Sequence, residues 1–270
     1  VTSPALTVAV AQFTPTEVPA ANRDAVAALV ARAAASRARL VVFPEYASYF
    51  VDPFDERLAA HAEPLDGPFV THLQALAQQH DVVVVAGLVE SAPVSGKVRN
   101  TVVAVAADGV RAVYRKQHLY DAFGQRESDW IEPGALDAPQ TLDVDGVRVG
   151  LITCYDLRFP ESTRVVVDAG ADLVLVPAEW VRGPLKEDQW MTLLRARAIE
   201  NTVFVAAADH TPPIGVGHSA IIDPTGVVRA SIGTTTGLAL ADVSLDDVER
   251  VRRVNPALQL RRYTVVPREI

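Results

Sequence analysis

Two short apolar runs in this chain end in the same way. Leu40-Val41-Val42-Phe43 stops at Pro44-Glu45, and Leu173-Val174-Leu175-Val176 stops at Pro177-Ala178-Glu179. Aliphatic runs of this length, bounded by proline and rich in β-branched residues, read as buried strands rather than helices. Each is preceded by another apolar run and a helical stripe. Before the first lie Leu6–Ala11 and a helix over about 23–38, with Asn22 as its cap and Val26, Leu29, Val30 and Ala33 on one face. Before the second lie Val147–Thr153 and a helix over 160–169, with Pro160 in its first turn and Gly170 just past its end. Strand, helix and strand in that order give parallel neighbours joined by a right-handed crossover. The chain is therefore expected to hold two similar β-α-β halves, each contributing to one of two sheets.

The remaining elements fill out both halves. Gly67-Pro68 opens a helix over about 69–80 carrying Val70, Leu73, Leu76 and Ala77. Residues 82–89 and 100–107 read as strands, Asp108-Gly109 as a hairpin turn, and 110–114 as a return strand delivering Arg115-Lys116 at its end. The loop 117–139 is too long for a plain connector, and such loops are often functional. Asp145-Gly146 marks a second hairpin, joining 140–144 to 147–153. A helix over about 185–200, strands near 203–208, 217–222, 227–232 and 238–243, and a helix near 245–253 complete the second half. No stretch has the composition of a linker, so residues 1–270 are expected to form one domain with its core over about 6–243. The last helix and the extended tail, together 245–270, have no obvious intrachain place and are candidates for a subunit contact.

Composition narrows the chemistry. At 270 residues the chain can bury a large core without metal or disulfide staples. With 49% hydrophobic and 21% charged residues it does not read as a disordered chain. A net charge of −8 argues against a nucleic-acid partner, which needs clustered cations. No apolar run reaches the ~18–20 residues of a membrane helix. Val1–Leu6 carries no basic segment followed by an apolar one, so no signal peptide, no membrane and a cytoplasmic location are expected. The single cysteine, Cys154, suits that compartment and excludes an intrachain disulfide and a cysteine-rich zinc site. His210 and His218 flank a Pro-Pro-Ile-Gly loop and are poor candidates for metal ligands. There is no His-Glu-x-x-His, no glycine-rich phosphate loop and no Gly-x-Ser-x-Gly. Hydrolysis without metal or cofactor is the simplest reading.

Sites in sheets with parallel strands form at the carboxyl ends of strands. Three reactive side chains sit there: Glu45, Lys116 and Cys154. Cys154 stands between Val149–Thr153 and Tyr155-Asp156-Leu157-Arg158-Phe159-Pro160, which read as a strand, a sharp turn and a helix. Such an elbow exposes a nucleophile. A helix N-terminus there would lower the thiol pKa and offer backbone N–H groups to an oxyanion. Most isolated cysteines are small buried hydrophobes, so position alone leaves both roles open. Lys116 is either a solvated surface charge or, near a thiolate, a stabiliser of that thiolate and of an oxyanion. Glu45 is either a turn carboxylate after Pro44 or a base that takes the thiol proton and returns it to a leaving amine. His118 reads as a packing or supporting residue.

Phe43-Pro44-Glu45, Tyr114–Asp121, Arg126-Glu127-Ser128, Pro133-Gly134, Gly150–Glu161, Leu194–Asn201 and Gly217-His218-Ser219 together resemble the nitrilase superfamily of carbon–nitrogen hydrolases, in family order over nearly the whole chain. The resemblance implies an α/β fold, a four-layer αββα sandwich. It implies a triad of Glu45, Lys116 and Cys154, and a second glutamate, Glu127, that lines the site and orients the amide or assists proton transfer. It also implies a homodimer formed through helices beside the cysteine elbow. Tyr46, Tyr155, Arg158 and Trp180 are expected to bind substrate, with the backbone N–H of Tyr155 at the oxyanion. Arg158 and Arg182 are the nearest candidates to meet a substrate carboxylate, with pairing to Asp156 or Glu161 the alternative for Arg158. The chain length and the run Cys154–Glu161 resemble small amidases acting on omega-amides of dicarboxylic acids or on deaminated glutathione. The expected reaction is hydrolysis of a small carboxylated amide through a Cys154 thioester, releasing ammonia without a cofactor. Hydrolysis of N-carbamoyl amino acids is the alternative chemistry. A non-catalytic interaction module keeping the same sandwich is the alternative class.

Overall fold

The computed structural model describes residues 5–94 and 96–268. β1 (Leu6–Gln12) leads through α1 (Pro19–Ala35) to β2 (Leu40–Val42), and a short α2 (Arg57–Ala60) and then α3 (Pro68–His80) lead to β3 (Val83–Ser91). These three strands are parallel, as apolar strands joined by helical crossovers must be. β4 (Val98–Ala106) and β5 (Gly109–Arg115) extend the sheet antiparallel through a tight hairpin. The second half repeats the scheme with β6 (Thr141–Val144), β7 (Val147–Leu151), α4 (Pro160–Asp168), β8 (Leu173–Pro177), α5 (Lys186–Asn201) and β9 (Phe204–Ala208). Here β7, β8 and β9 are parallel, and β10 (Ala220–Ile222) and β11 (Val228–Ser231) continue antiparallel.

Side-chain alternation along the strands sets the layers. Val8, Val10, Leu40 and Val42 of one sheet meet Val149, Leu151, Leu173 and Leu175 of the other in a shared central core. The intervening residues, Ala9, Val41 and Val84, face outward and pack under Val26, Leu29 and Val30 of α1 and Leu73 of α3. On the far side, Val174 and Val176 pack under Val166 of α4 and Trp190 and Leu194 of α5. Helix, sheet, sheet and helix give the αββα sandwich. Because both faces of every central strand are covered, the strands read as unbroken apolar runs.

Two expectations need correction, and one short helix is unanticipated. β12 (Gly237–Val243) does not remain with the second half. It crosses to the first sheet and pairs antiparallel with β1, from Leu6 against Val243 to Gln12 against Gly237, giving the order β12-β1-β2-β3-β4-β5. An antiparallel edge strand fits the flank of either sheet, so its own residues do not reveal its partner. Asn22 is not a cap: α1 starts at Pro19, whose fixed φ suits a first turn. The Asn22 amide donates to the carbonyls of Thr16 and Ser48 at 2.8 and 3.0 Å, tying two loops to the helix. Finally, α2 lies in a segment with no helical periodicity and buries only Leu58.

α6 (Leu245–Val254) covers the core with Val248 and Val251, and beyond it Leu260, Tyr263 and Val266 are exposed while Arg261 pairs with Asp168 at 2.6 Å. Residues 1–4 and 269–270, which the leader and subunit-contact readings include, lie outside the described residues. Among the described residues no helix is long and apolar enough to cross a membrane.

Candidate active site

Glu45 is placed by a sharp turn after β2. Tyr46 adopts a left-handed backbone with φ of 56°, and Gly87 of β3 gives that turn room. A Cβ on Gly87 would lie 2.3 Å from the Tyr46 nitrogen. The Gly87 N–H donates to the Pro44 carbonyl at 3.0 Å, so the missing side chain lets two backbones touch. Glu45 is 1% exposed. Behind it, Nε2 of the buried His210 donates to the Glu45 carbonyl at 2.8 Å, which fixes the proton on that nitrogen.

Lys116 emerges from β5 into the same space. It is 2% exposed, so the surface-charge alternative is removed. Its Nζ donates to Oε1 of Glu45 at 2.9 Å and to Glu127 at 2.9–3.0 Å. Glu127 comes from a 3₁₀ turn (Glu127–Asp129) inside the long loop. Its Oε1 also accepts from the Tyr46 hydroxyl at 2.6 Å and the Asn100 amide at 3.0 Å, and its Oε2 accepts from the Tyr120 N–H. Asn100 donates to Oε1 of Glu45 as well, at 2.6 Å. A carboxylate has about four acceptor positions, so Glu127 is saturated by the protein. It holds Lys116, Asn100 and Tyr46 in place and has no lone pair left for an amide.

Cys154 sits at the elbow with φ of 45°, a costly conformation for a residue with a Cβ. The helix starts where the sequence places it, at Pro160, and not directly at the sulfur. Residues Cys154–Arg158 form a 3₁₀ turn, and α4 begins only at Pro160. The turn is held by the buried Asp156, which accepts from the Thr153 N–H at 3.1 Å, the Tyr114 hydroxyl at 2.7 Å and His118 Nδ1 at 2.8 Å. His118 stacks on Phe159 and thus braces the elbow from the Lys116 side. The Sγ of Cys154 donates to the Glu179 carbonyl at 3.3 Å, and the Glu45 carboxyl is close enough to act on its charge.

The electrostatics also differ from expectation. Burial pushes the Cys154 thiol well above its ordinary pKa, and the Glu45 charge adds to this more than Lys116 offsets it. A single 3₁₀ turn has too little dipole to reverse that. Burial also raises Glu45, although Lys116 opposes it. Burial raises Glu127 too, but there Lys116 and Tyr46 win and its carboxyl is held below the usual range. Burial would lower Lys116, yet Glu127 and Glu45 outweigh it and keep the ammonium charged. The resting arrangement is a neutral thiol facing a carboxyl of raised proton affinity, beside a fixed ammonium. That set can move one proton between sulfur and Glu45 beside the fixed charge of Lys116.

These groups open into a cavity of about 440 Å³. Tyr46, Tyr155, Trp180 and Arg158 all line it, as does Arg182 at its exposed rim. Arg158 pairs with neither Asp156 nor Glu161. It donates to Gln189 at 2.7 Å and lies 4.8 Å from the Trp180 ring. Three residues of the site are absent from the sequence-based expectations: Asn100, Tyr120 and Lys186. Lys186 donates to the Tyr120 hydroxyl at 2.8 Å and faces the Phe123 ring at 4.1 Å. For Glu179 a signal exists, since it repeats the place of Glu45 at the end of the matching strand. Among the described residues no three His, Cys, Asp or Glu side chains are grouped to hold a metal ion.

A family model described as carbon–nitrogen hydrolase matches residues 7–253. The deaminated glutathione amidase of Escherichia coli O157:H7 is 40% identical over 258 residues, 95% of this chain and 97% of that protein. The Caenorhabditis elegans NitFhit protein superposes with a TM-score of 0.88 at 30% identity, over 98% of this chain and 67% of that one. A double mutant of the amidase from Nesterenkonia sp. AN1, in complex with acrylamide, superposes with a TM-score of 0.79 at 26% identity, over 94% of this chain and 97% of that one.

Proposed function

The chain belongs to the carbon–nitrogen hydrolase family and is a hydrolytic amidase, and from that premise we propose that Cys154, Glu45 and Lys116 hydrolyse a small carboxylated amide through a thioester on Cys154. The observation that carries this reading is the buried contact set around Glu45. One carboxyl oxygen takes Lys116 and Asn100, and the other takes the N–H of Glu179, whose carbonyl holds the Cys154 thiol.

In the first half-reaction Glu45 takes the thiol proton as sulfur attacks the carbonyl carbon, so charge separation is confined to the bond-forming step. Lys116 has three N–H donors, and Glu45 and Glu127 engage them on one side. The remaining donor and the Tyr155 N–H stabilise the oxyanion. Collapse of the tetrahedral species breaks the C–N bond, and Glu45 gives its proton to the departing ammonia or amine. Water then loses a proton to Glu45 and attacks the thioester carbon. The C–S bond breaks, the acid leaves, and sulfur recovers its proton from Glu45. Glu127, already saturated, acts by fixing Lys116 rather than by touching substrate.

The substrate class follows from the cavity and the relatives. Several relatives are named deaminated glutathione amidase, an amide with carboxylates away from the scissile bond. Arg158 and Lys186 line the cavity here and supply cations for such a group. Turnover of purified Cys154→Ala tests the mechanism. It is expected to vanish with the fold intact, and unsubstituted enzyme quenched during turnover is expected to carry one acyl mass on Cys154. Appreciable hydrolysis by the Cys154→Ala protein refutes the reading.

A further inference from the structure

Asp209 follows the end of β9 and is fully buried, and among the described residues no cation lies within 4.0 Å of its carboxyl. A carboxyl kept in such a place costs stability, and the reaction gives it no step. Its Oδ1 accepts from the Trp180 N–H at 2.7 Å and its Oδ2 from the Gly217 N–H at 3.0 Å. The Trp180 N–H belongs to the same peptide unit as the Glu179 carbonyl, which receives the Cys154 thiol at 3.3 Å. One planar amide therefore stands between Asp209 and the sulfur, its N–H on the carboxyl and its carbonyl on the thiol. The next residue, His210, holds the Glu45 carbonyl at 2.8 Å. Two consecutive residues after β9 thus reach both partners of the proton transfer.

We propose that Asp209 is a positioning residue for the nucleophile, holding the Glu179–Trp180 peptide so that its carbonyl keeps the Cys154 S–H in place beside Glu45. The proposal rests on Cys154 as the nucleophile and adds the group that aims it. Three bonds meet on two successive peptide units. The Glu179 N–H is on Glu45, the Glu179 carbonyl is on the thiol, and the Trp180 N–H is on Asp209. The first ties the base to this segment, the second ties the sulfur, and the third stops the amide from turning. A peptide turns as a rigid plane, so loss of the third bond frees the carbonyl to swing off the sulfur. Linked hydrogen bonds also polarise one another, so an acceptor on the N–H makes the carbonyl a better acceptor for S–H. A bond made by the thiol favours the thiol over the thiolate. Asp209 therefore helps to keep the proton on sulfur until Glu45 takes it. Glu45 and Tyr46 after β2, Lys116 after β5, Tyr120 of the long loop, Glu179 after β8 and Lys186 of α5 also interact with the sulfur's charge. Asp209 in turn raises Glu179.

The test reads the thiol directly. Cys154 is the single cysteine of the chain, so its S–H stretch gives one infrared band. In unsubstituted protein that band is expected at lower frequency than that of a simple thiol in carbon tetrachloride, where no hydrogen bond forms. Asp209→Ala removes both acceptors. It is expected to raise the band, to move the midpoint of Cys154 alkylation by iodoacetamide to lower pH by at least about 0.5 unit, and to lower kcat at least about tenfold. Asp209→Asn returns one acceptor and is expected to recover part of each change. Ser219→Ala is the control. It removes the hydroxyl that accepts from the Asp209 N–H at 2.9 Å and leaves the path to the sulfur intact, so the band and the midpoint should stay in place. A free-thiol band in unsubstituted protein, a band or midpoint unmoved in Asp209→Ala, or equal shifts in Ser219→Ala overturns the proposal. Where Asp209→Ala does not fold, Asp209→Asn carries the comparison, and an unmoved band in it counts equally against the proposal. Ammonia release by unsubstituted enzyme scores the amidase reading separately, since the infrared and alkylation readouts need no turnover.

Discussion

The Glu179 N–H donates to Oε2 of Glu45 at 2.7 Å, a hydrogen bond spanning 134 positions that ties the end of β8 to the end of β2. The carbonyl of the same Glu179 receives the Cys154 thiol. One residue of the second sheet thus sets the spacing between the base, which belongs to the first sheet, and the nucleophile. The orientation of Glu45 is fixed by a group that no substitution of the Glu179 side chain removes.

Lys116→Arg is expected to lower kcat by at least ~100-fold, the scale for losing one oxyanion donor. An arginine keeps the charge, but its planar fork does not fit the compact space between Glu45, Glu127 and Asn100. Steady-state kinetics check this, and a kcat near that of the unsubstituted enzyme would remove Lys116 from the oxyanion site.

Gly87→Ala is expected to cost about 100-fold in kcat, the loss expected of an ångström-scale displacement of a reacting group. The added Cβ would lie 2.7 Å from the Cα of Glu45, so the base itself must move. Gly233→Ala is the control, because nothing lies within 4 Å of its Cβ. Equal kcat in the two variants would show that Gly87 does not position the base.

The acid limb of kcat/KM is expected above the ordinary glutamate value of about 4.3. Burial raises Glu45, so it holds its proton to higher pH, and activity falls as pH drops through that raised value. Glu127 stays ionised over this range, because its carboxyl is held below the usual range. In Glu127→Gln the limb should move to lower pH, since the charge that helps raise Glu45 is gone and Lys116 then acts on Glu45 alone. A limb that stays in place contradicts this coupling.

His210 makes stability depend on acidity. Burial pushes it down to about 4, from 6.5 for an exposed histidine. Between those values the unfolded chain binds a proton that the folded one refuses, so stability is lost as pH falls through this window. The full loss is ~3 kcal/mol, at ~1.4 kcal/mol per tenfold in proton affinity. Urea midpoints measured from pH 7 to 4 should drop less steeply in His210→Gln, whose amide can still donate to the Glu45 carbonyl. Parallel curves would show that His210 does not carry the effect.

Much of this site is legible in the sequence because strand ends are legible. Pro44 and Pro177 stop their apolar runs, and the Gly150–Glu161 run announces the elbow at Cys154. Partners remote in sequence escape such a reading. Asn100 lies inside β4 and reads as an ordinary strand position, yet it bridges Glu45 and Glu127. Tyr120 and Lys186 meet across 66 positions, and no local pattern pairs them. The family resemblance puts Glu127 against the amide, and only a count of its donors reveals that its oxygens are occupied. The expected lowering of the thiol pKa fails because a 3₁₀ turn separates Cys154 from the start of α4 at Pro160, and because burial of the sulfur is not written in its neighbours.

The crossing of β12 to the first sheet bears on how the molecule is made. Among the described strands β1 leaves the ribosome first, and its outer neighbour leaves last. Throughout that interval β1 presents an unpaired apolar edge, the kind of surface on which chains associate wrongly. Its register with β12 pairs residues far apart in sequence, from Leu6 with Val243 to Gln12 with Gly237, which loop closure makes slow to form. Of the two sheets, the one whose strands emerge first is completed last, and a chain cut before Gly237 would carry the elements of the site on a sheet still open at that edge.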